Sequence, residues 1–422
     1  MCIDNINLQE YTNNITKQLQ NVWQTFGKDG VMEQKMMKAL VCDAEFAPRP
    51  DYVFTEYEKT HKKAKSANGV YKNPKITLKE VAIPKVGARD VLIQVKACGI
   101  CGTDIHFRES DEDGYMLYPA WTKFPNIIGH EFAGIIVEKG DEVRDFEVGD
   151  WVASEQMLWC GECDRCKAGV PCACRHMEEL GNTYPGAIAE YTLVKSQYCW
   201  DVSGLKKAYI DEDQLWAAAA TIEPTGVSYK GIYGNAGGFD PGAHVVVYGG
   251  GPIGLGAITL ARAGGAATVT CFEVLKERQE LAKKAGADYV FNPKEVDISQ
   301  KVKEVTGGAG ADFQVEAAGI PHVLIDDMVK SIAVGSKIVL VGMGPYFPKV
   351  DYTELQLKSV NLFTSIGHDS KNTFRNVIRL MANNRIDTTK YITGDYSIDQ
   401  AVEALEKAAE RNGGKVIIRP DR

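Results

Sequence analysis

Several things are scarce or missing in this chain, and each absence narrows what it can do. Basic residues are not in excess: 48 Lys and Arg stand against 56 Asp and Glu, a net charge of −8. A nucleic-acid binder normally shows a basic patch or a basic domain, so no nucleic-acid partner is expected. Long apolar runs are also missing. The longest mostly apolar stretch starts at Val245, carries several glycines and Pro252, and stops at Arg262. It is too short and too broken for a membrane span. The first residues lack the charged-then-apolar pattern of a secretory signal. Together these absences lead us to expect a soluble, cytoplasmic protein with no membrane partner. A disulfide framework is missing as well, since the eleven cysteines are odd in number and the chain is long. There is no internal repeat and no low-complexity run.

With 422 residues, 45% hydrophobic and 25% charged, the chain has ordinary globular composition and exceeds a single typical core. Residues 1–36 read as an N-terminal extension. Leu8, Ile15, Val22 and Tyr11, Leu19, Phe26 fall near heptad spacing, which suggests an amphipathic helix packing on its own protein. Met36 and Met37 precede Lys38-Ala39-Leu40-Val41, which reads as a first strand. Residues 76–81, 90–95, 127–137 and 148–153 continue the β character and suggest a partly barrel-like domain. Near residue 240 the pattern changes. A continuous apolar strand, 244–248, leads into a glycine turn, a helix at 252–264, a strand at 267–272 and a helix at 275–285. That alternation is βαβ and implies a parallel sheet, with further strands at 312–316 and 337–341. The expected class is α/β.

Gly249-Gly250-Gly251-Pro252-Ile253-Gly254 fits G-x-G-x-x-G. The first glycine permits the tight turn, the second lets the backbone approach a pyrophosphate, and the third lets helix pack on strand. The helix N-terminus attracts the anion. Alone the motif is weak, but its place between an apolar strand and a helix is the context that supports it. An acid should follow at the end of the second strand to bind the ribose, and Glu273 stands there. A carboxylate would repel a 2′-phosphate, so NAD is favoured over NADP. The bland alternative is a glycine-rich turn of some other α/β fold.

Cys160, Cys163, Cys166 and Cys174 follow C-x2-C-x2-C-x7-C. Four thiolates on one short lobe, 155–180, can close a tetrahedral Zn²⁺ site with no open position, which is a structural site. Cys172 is a possible substitute for the fourth ligand. An iron–sulfur cluster and a nucleic-acid zinc ribbon are the alternatives. The acidic flanks Glu162, Asp164, Glu178 and Glu179 speak against the ribbon.

Two further segments, 98–106 and 129–131, carry Cys101 and His130, the S and N ligands that a catalytic Zn²⁺ prefers. Glu131 or Glu223 could complete the set. Taken singly, a cysteine is usually a small buried hydrophobe, and a lone histidine is usually structural. Their order in the chain is harder to dismiss.

Gly-Ile-Cys-Gly-Thr-Asp-x-His, then Gly-His-Glu, four cysteines, Glu223-Pro224 and Gly-x-Gly-Pro-Ile-Gly resemble the zinc-dependent medium-chain dehydrogenases. The resemblance runs from about Met37 to the C-terminus. It implies a GroES-like β-barrel catalytic domain in two segments, 37–225 and 368–422, around a Rossmann domain at 226–367. It implies NAD and two zinc ions, one catalytic on Cys101, His130 and one or both of Glu131 and Glu223, and one structural. It also implies a proton relay, with Thr103 receiving the alcohol proton and His106 passing it on through the cofactor ribose. Asp104 resembles the carboxylate that orients a ligating histidine, here His130. The bland reading of Thr103 is a turn-capping hydroxyl. Arg278 matches a position near the adenosine, and Val341-Gly342-Met343 matches the strand end near the nicotinamide.

Glu223 stands where classical alcohol dehydrogenases have a third cysteine ligand, which resembles the polyol, sugar and threonine dehydrogenase branch. The stretches 71–74, 114–119, 124–132 and 155–160 resemble cyclitol dehydrogenases of the scyllo-inosose 3-dehydrogenase type. The expected substrate is therefore a secondary alcohol or ketone of a polyol or cyclitol, with L-threonine, sorbitol or a sugar as alternatives. A homo-oligomer, dimer or tetramer, is expected from the resemblance. From a different class, a non-catalytic zinc and dinucleotide binder would use the same folds, but the set Cys101, Thr103, His106 and His130 argues for an enzyme.

Overall fold

The computed structural model describes residues 35–344, 348–369 and 372–422. The helix expected within the first 36 residues lies almost wholly outside them.

A barrel-like β-structure occupies the first half. Strand Met36–Phe46 pairs antiparallel with Tyr71–Ala82. A larger sheet centres on strand Asp90–Gly99, which pairs antiparallel with Glu131–Lys139, with Tyr191–Lys195 and with the last strand, Lys415–Arg419. The first and last parts of the chain thus meet on one strand. Alternation builds this region: along Glu131–Lys139 and Asp90–Gly99 the buried side chains include Ile93, Val95, Phe132 and Ile136. Burying each aliphatic one contributes about 1.5–3 kcal/mol before the entropy of ordering it.

The strand expected at 127–137 is interrupted. Asn126–Ile127 and Glu131–Lys139 are separate strands, because Gly129 turns the chain with φ +90°, a conformation that side chains oppose. A Cβ at Gly129 would also fall 2.4 Å from Ile188 Cγ1. That break is what aims His130 inward.

The second unit is a six-stranded parallel sheet, with its two middle strands at His244–Tyr248 and Ala311–Glu316. Val245, Val246 and Val247 are all buried, as expected of a strand covered on both faces. Helix Pro252–Ala263 begins at N-cap Gly251 with proline in the first turn, where its missing N–H costs nothing. A Cβ on Gly254 would sit 1.8 Å from the Gly249 carbonyl oxygen, so only glycine lets this helix pack so close to the turn.

Helix Glu212–Ala220 joins the two units. Ala217, Ala218, Ala219 and Ala220 share one buried cluster with Ala97, Ala133 and Ala153 of the barrel and Val245 and Val247 of the parallel sheet. The small side chains allow the helix to lie flat between sheets. Helix Ile222–Tyr229 follows directly and presents Glu223 at its start. It runs into a π-helical stretch, Lys230–Asn235, a geometry often found at functional sites. Lys230 Nζ donates to the Ile366 carbonyl at 2.8 Å, and Asn235 Nδ2 to the Thr364 carbonyl at 2.8 Å. These two bonds pin the loop that leaves the edge strand Asn361–Thr364 and carries His368.

Among the described residues, no helix is long and apolar enough to cross a membrane.

Candidate active site

Cys101 follows strand Asp90–Gly99 and caps the short helix Gly102–His106. Asp104, fully buried, accepts from the Cys101 N–H at 2.9 Å and from the Gly129 N–H at 3.0 Å. It therefore ties the turn bearing Cys101 to the turn bearing His130. Its hydrogen bonds go to backbone rather than to the imidazole that the resemblance suggested, and His130 Nδ1 has no hydrogen-bond partner.

The sulfur of Cys101, a ring nitrogen of His130 and a carboxylate oxygen of Glu131 lie within 4.8 Å of one another. Burial pulls protonation of His130 down, yet the negative charges of Cys101, Asp104 and Glu223 outweigh it and hold this imidazole well above the ordinary histidine value. A half-buried sulfur beside buried N and O donors, with an unpaired ring nitrogen and so much negative charge about it, fits a divalent cation of zinc type.

Each glutamate has a basic partner that motif reading missed. Lys415, itself buried, donates to Glu131 Oε1 at 2.7 Å and to the Ile100 carbonyl at 2.8 Å. Burial disfavours the charged lysine, but Glu131 and its neighbours overcome that and raise its pKa. Burial pushes the Glu131 carboxyl up, and Lys415 opposes it. Glu223 lies outside the 4.8 Å group; its Oε1 is 2.6 Å from Nε2 of His368. Burial raises the Glu223 carboxyl, but the His368 imidazole and the nearby cations prevail and hold it below its ordinary value. The two acids proposed for one metal thus differ: Glu131 is in the cluster with a lysine behind it, and Glu223 is beside it with a histidine.

Thr103 lies in the helix after Cys101. Its hydroxyl hydrogen-bonds the phenol of Tyr118, which accepts from Asn182 Nδ2 at 2.9 Å. Asn182 also donates to Glu179 Oε2 at 2.8 Å, and its own Oδ1 is buried with no partner. Tyr118 comes from the long segment after His106, and Asn182 from the return after the cysteine lobe. Tyr118 falls within the stretch 114–119 that resembles the cyclitol dehydrogenases, and no motif pointed to Asn182. His106 ends the helix, with Nδ1 2.7 Å from Glu109 Oε2.

At the glycine turn, Glu273 Oε2 accepts from the Gly250 N–H at 2.6 Å and Oε1 from the Leu275 N–H at 2.9 Å. The carboxylate thus sits against the turn. Arg278 Nε donates to the Gly413 carbonyl at 3.0 Å, and its guanidinium passes 3.5 Å from where a Gly251 Cβ would stand. Val341 and Gly342 donate their N–H groups to the Glu316 carbonyl at 2.9 and 3.0 Å. Met343 is exposed. Pro252, Ile253 and Gly254 form the first turn of the helix behind the glycines.

The four cysteines stand apart on their own lobe. Cys163 and Cys166 sulfurs are 3.5 Å apart, Cys163 and Cys174 3.9 Å, and Cys174 and Cys160 3.6 Å. These spacings exclude disulfides, whose sulfurs are about 2.05 Å apart. They match the edge of a tetrahedron with Zn–S bonds of about 2.3 Å, about 3.8 Å. Backbone N–H groups of Cys163 and Glu162 point at Cys160, and those of Cys160 and His176 at Cys174. Cys172 is not one of the group.

A barrel with a buried Cys–His–Glu cluster, joined to a glycine-turn parallel sheet and a closed four-thiol lobe, defines a metal-dependent, dinucleotide-using oxidoreductase that acts on a small molecule. Comparison with known proteins agrees. Residues 87–204 match the model of the alcohol dehydrogenase GroES-like domain, and residues 252–383 that of the zinc-binding dehydrogenases. The chain is 35% identical over 382 residues to scyllo-inosose 3-dehydrogenase of Thermotoga maritima, covering 88% of this chain and 96% of the relative. It is 33% identical over 347 residues to L-threonine 3-dehydrogenase of Pyrococcus horikoshii, covering 81% and 94%. A solved alcohol dehydrogenase from Thermotoga maritima superposes with a TM-score of 0.87 at 34% identity, covering 91% of this chain and all of that one. The chain belongs to the zinc-dependent alcohol dehydrogenase family.

Proposed function

We propose that this protein interconverts a secondary alcohol and its ketone on a polyol or cyclitol, an inositol or inosose in character, with NAD(H) as the hydride carrier. The observation that carries this reading is the buried Cys101–His130–Glu131 cluster beside a polar wall of Thr103, Tyr118 and Asn182. A ring with several hydroxyls needs several fixed donors and acceptors, and the unpaired Asn182 Oδ1 is one such acceptor. Likeness to scyllo-inosose 3-dehydrogenase supports the same substrate class, and likeness to L-threonine 3-dehydrogenases makes threonine the second reading.

Cys101, His130 and one or both of Glu131 and Glu223 would hold a zinc ion, which would supply Lewis acidity at a hydroxyl or carbonyl oxygen. The chain's own residues do the rest. Thr103 takes the alcohol proton and His106 receives it at the cofactor side. Asp104 keeps the two ligand-bearing turns in register through its two backbone bonds. Gly249, Gly251 and the helix start Pro252-Ile253-Gly254 receive the pyrophosphate, Glu273 the ribose, Arg278 the adenosine side, and Val341-Gly342-Met343 the nicotinamide side. Glu273 stands where a 2′-phosphate would meet a carboxylate, which favours NAD. Cys160, Cys163, Cys166 and Cys174 hold a structural zinc.

In this reading, residues 37–225 and 368–422 form the catalytic domain and 226–367 the nucleotide domain. The enzyme works in the cytoplasm as a homo-oligomer, dimer or tetramer, without nucleic-acid or membrane partners.

The test is the initial rate of NADH formation by the zinc-loaded protein on myo-inositol, sorbitol, glucose and L-threonine, with scyllo-inosose reduction in reverse. Chelator-sensitive turnover concentrated on the inositol or inosose is expected. Turnover on L-threonine instead would move the substrate to the second reading. Silence on every compound in both directions, with NAD and with NADP, would overturn the polyol reading.

A further inference from the structure

Two charged residues, Glu109 and Arg411, stand behind His106 and have no part in the chemistry proposed for it. Glu109 stands three residues beyond His106, and its Oε2 is 2.7 Å from His106 Nδ1. Arg411, 302 residues further along the chain, donates from one guanidinium nitrogen to both Glu109 oxygens, at 2.9 and 3.1 Å. It lies in the turn between helix Ala401–Ala409 and the last strand. Backbone bonds hold both ends of this pair: the Leu117 N–H donates to the Glu109 carbonyl at 3.0 Å, and the Arg411 N–H to the Ala408 carbonyl at 3.1 Å. Two distant segments of the chain therefore meet at Glu109, which in turn contacts the imidazole.

Ion pairs this exposed contribute little stability, about 0–1 kcal/mol. Their worth here is geometric. The two nitrogens of a neutral imidazole differ, and the bond made by one fixes the role of the other. An ionised carboxylate only accepts. Beside Glu109, Nδ1 must carry the hydrogen, which leaves the lone pair on Nε2.

We propose that Glu109 is a positioning residue of the proton relay, holding His106 in its Nδ1–H tautomer so that Nε2 is the proton acceptor, with Arg411 holding Glu109 in place. The inference rests on the relay role given to His106 above. A proton arriving from a hydroxyl breaks its O–H bond, forms an N–H bond at Nε2, and leaves from that same atom to water. Glu109 keeps its hydrogen bond to Nδ1–H throughout and gains no proton, as the buried carboxylate does in a Ser-His-Asp triad.

The test uses the full-length, zinc-loaded protein labelled with ¹⁵N-histidine, without substrate, at an alkaline pH where imidazoles are neutral. The His106 signals are assigned by their loss in H106Q. The wild type should show the Nδ1–H tautomer, and E109A should shift toward the Nε2–H form. On whichever alcohol the enzyme oxidises, E109A should lower kcat by about 10-fold with the KM for NAD and the zinc content unchanged. E109D should recover part of the loss, and R411M should show a smaller loss in the same direction. An Nε2–H wild type, or an E109A variant with wild-type tautomer and kcat, overturns the proposal. So does an E109A variant whose only change is a higher KM for NAD. Because the tautomer is read without substrate, failure of the polyol reading leaves this result standing, and the two can fail separately.

Discussion

Among the described residues, two places gather metal-type ligands, and they are built in opposite ways. The lobe takes all four sulfurs from a stretch of fifteen residues, Cys160 to Cys174, three of them half-exposed. Its sulfurs are pointed at by backbone N–H groups of neighbouring residues. The other centre draws Cys101, His130 and Glu131 from two turns, with Lys415 and His368 arriving from far along the chain, and all but Cys101 buried. A closed set of thiolates can only hold a shape. A buried set with an unpaired imidazole nitrogen and two separately countered carboxylates can exchange a ligand for substrate. The difference in construction is therefore the difference between a brace and a reaction centre.

The sharpest way to break that contrast is to remove one ligand from the buried centre. H130A should lose one of the two zinc ions expected per chain, keep the lobe's ion, and retain its circular dichroism. Disturbing residues that merely orient a ligand costs about 10–100-fold, and loss of the ligand itself should exceed that. Metal analysis beside initial rates checks it. Full loss of both ions would mean that the two regions fold as one unit, and the contrast would fail.

Next in size comes the charge behind Glu131. Taking one partner from a buried ion pair leaves an uncompensated charge and costs about 3–5 kcal/mol. K415M should show that loss in denaturant unfolding, because Lys415 and Glu131 are 1% exposed each. The double variant K415M/E131Q should recover part of it, which isolates the pair from the rest. An equal loss in the single and double variants would show that Lys415 matters for packing alone.

How much of this was legible follows the same division. The lobe and the glycine turn are local patterns, read from spacing within a short stretch together with the elements that flank it. The expected strand at 267–272 and helix at 252–264 correspond closely to Thr268–Phe272 and Pro252–Ala263, because apolar runs and a glycine–proline start are read within one window. No motif pointed to Lys415, which opens an apolar run near the end of the sequence. Nothing in Lys415-Val416-Ile417-Ile418 says that the strand pairs beside Cys98 and Gly99, and that pairing is what delivers the lysine to Glu131. His368 was equally silent, since its place depends on the two bonds that pin residues 364–366. Asp104 was expected to orient the His130 ring, whereas it grips two backbone N–H groups; a motif gives the residue but not the direction of its side chain.

On the lobe the expected effect is smaller. C166S should remove the lobe's zinc and leave that of the buried centre, destabilising by about 1–3 kcal/mol and exposing residues 155–180 to protease. Turnover per remaining active chain should fall less than in H130A. A complete loss of turnover with the buried zinc still bound would make the brace part of the reaction after all.

The smallest effect separates the thiols from each other. The Arg175 N–H, the Cys166 N–H and the neighbouring thiols hold Cys163 down, to about 6, while burial and the Cys163 sulfur push Cys166 up to about 12. For Cys163 the folded value is below the ordinary thiol range, so the fold favours the thiolate. Its contribution to stability is complete above about pH 9 and is lost as the pH falls through about 6. For Cys166 the sign is reversed: the protonated form is favoured, and zinc must displace that proton to bind. Zinc added to the metal-free lobe at pH 8 should therefore release protons from Cys166 and Cys174 rather than from Cys163. In the zinc-free protein, part of the thiolate absorbance at 240 nm should rise below the ordinary thiol range, and C163S should delete that step. A single step near the ordinary thiol value would mean that the backbone N–H groups do not organise the lobe before the metal arrives. The brace would then be made by zinc alone.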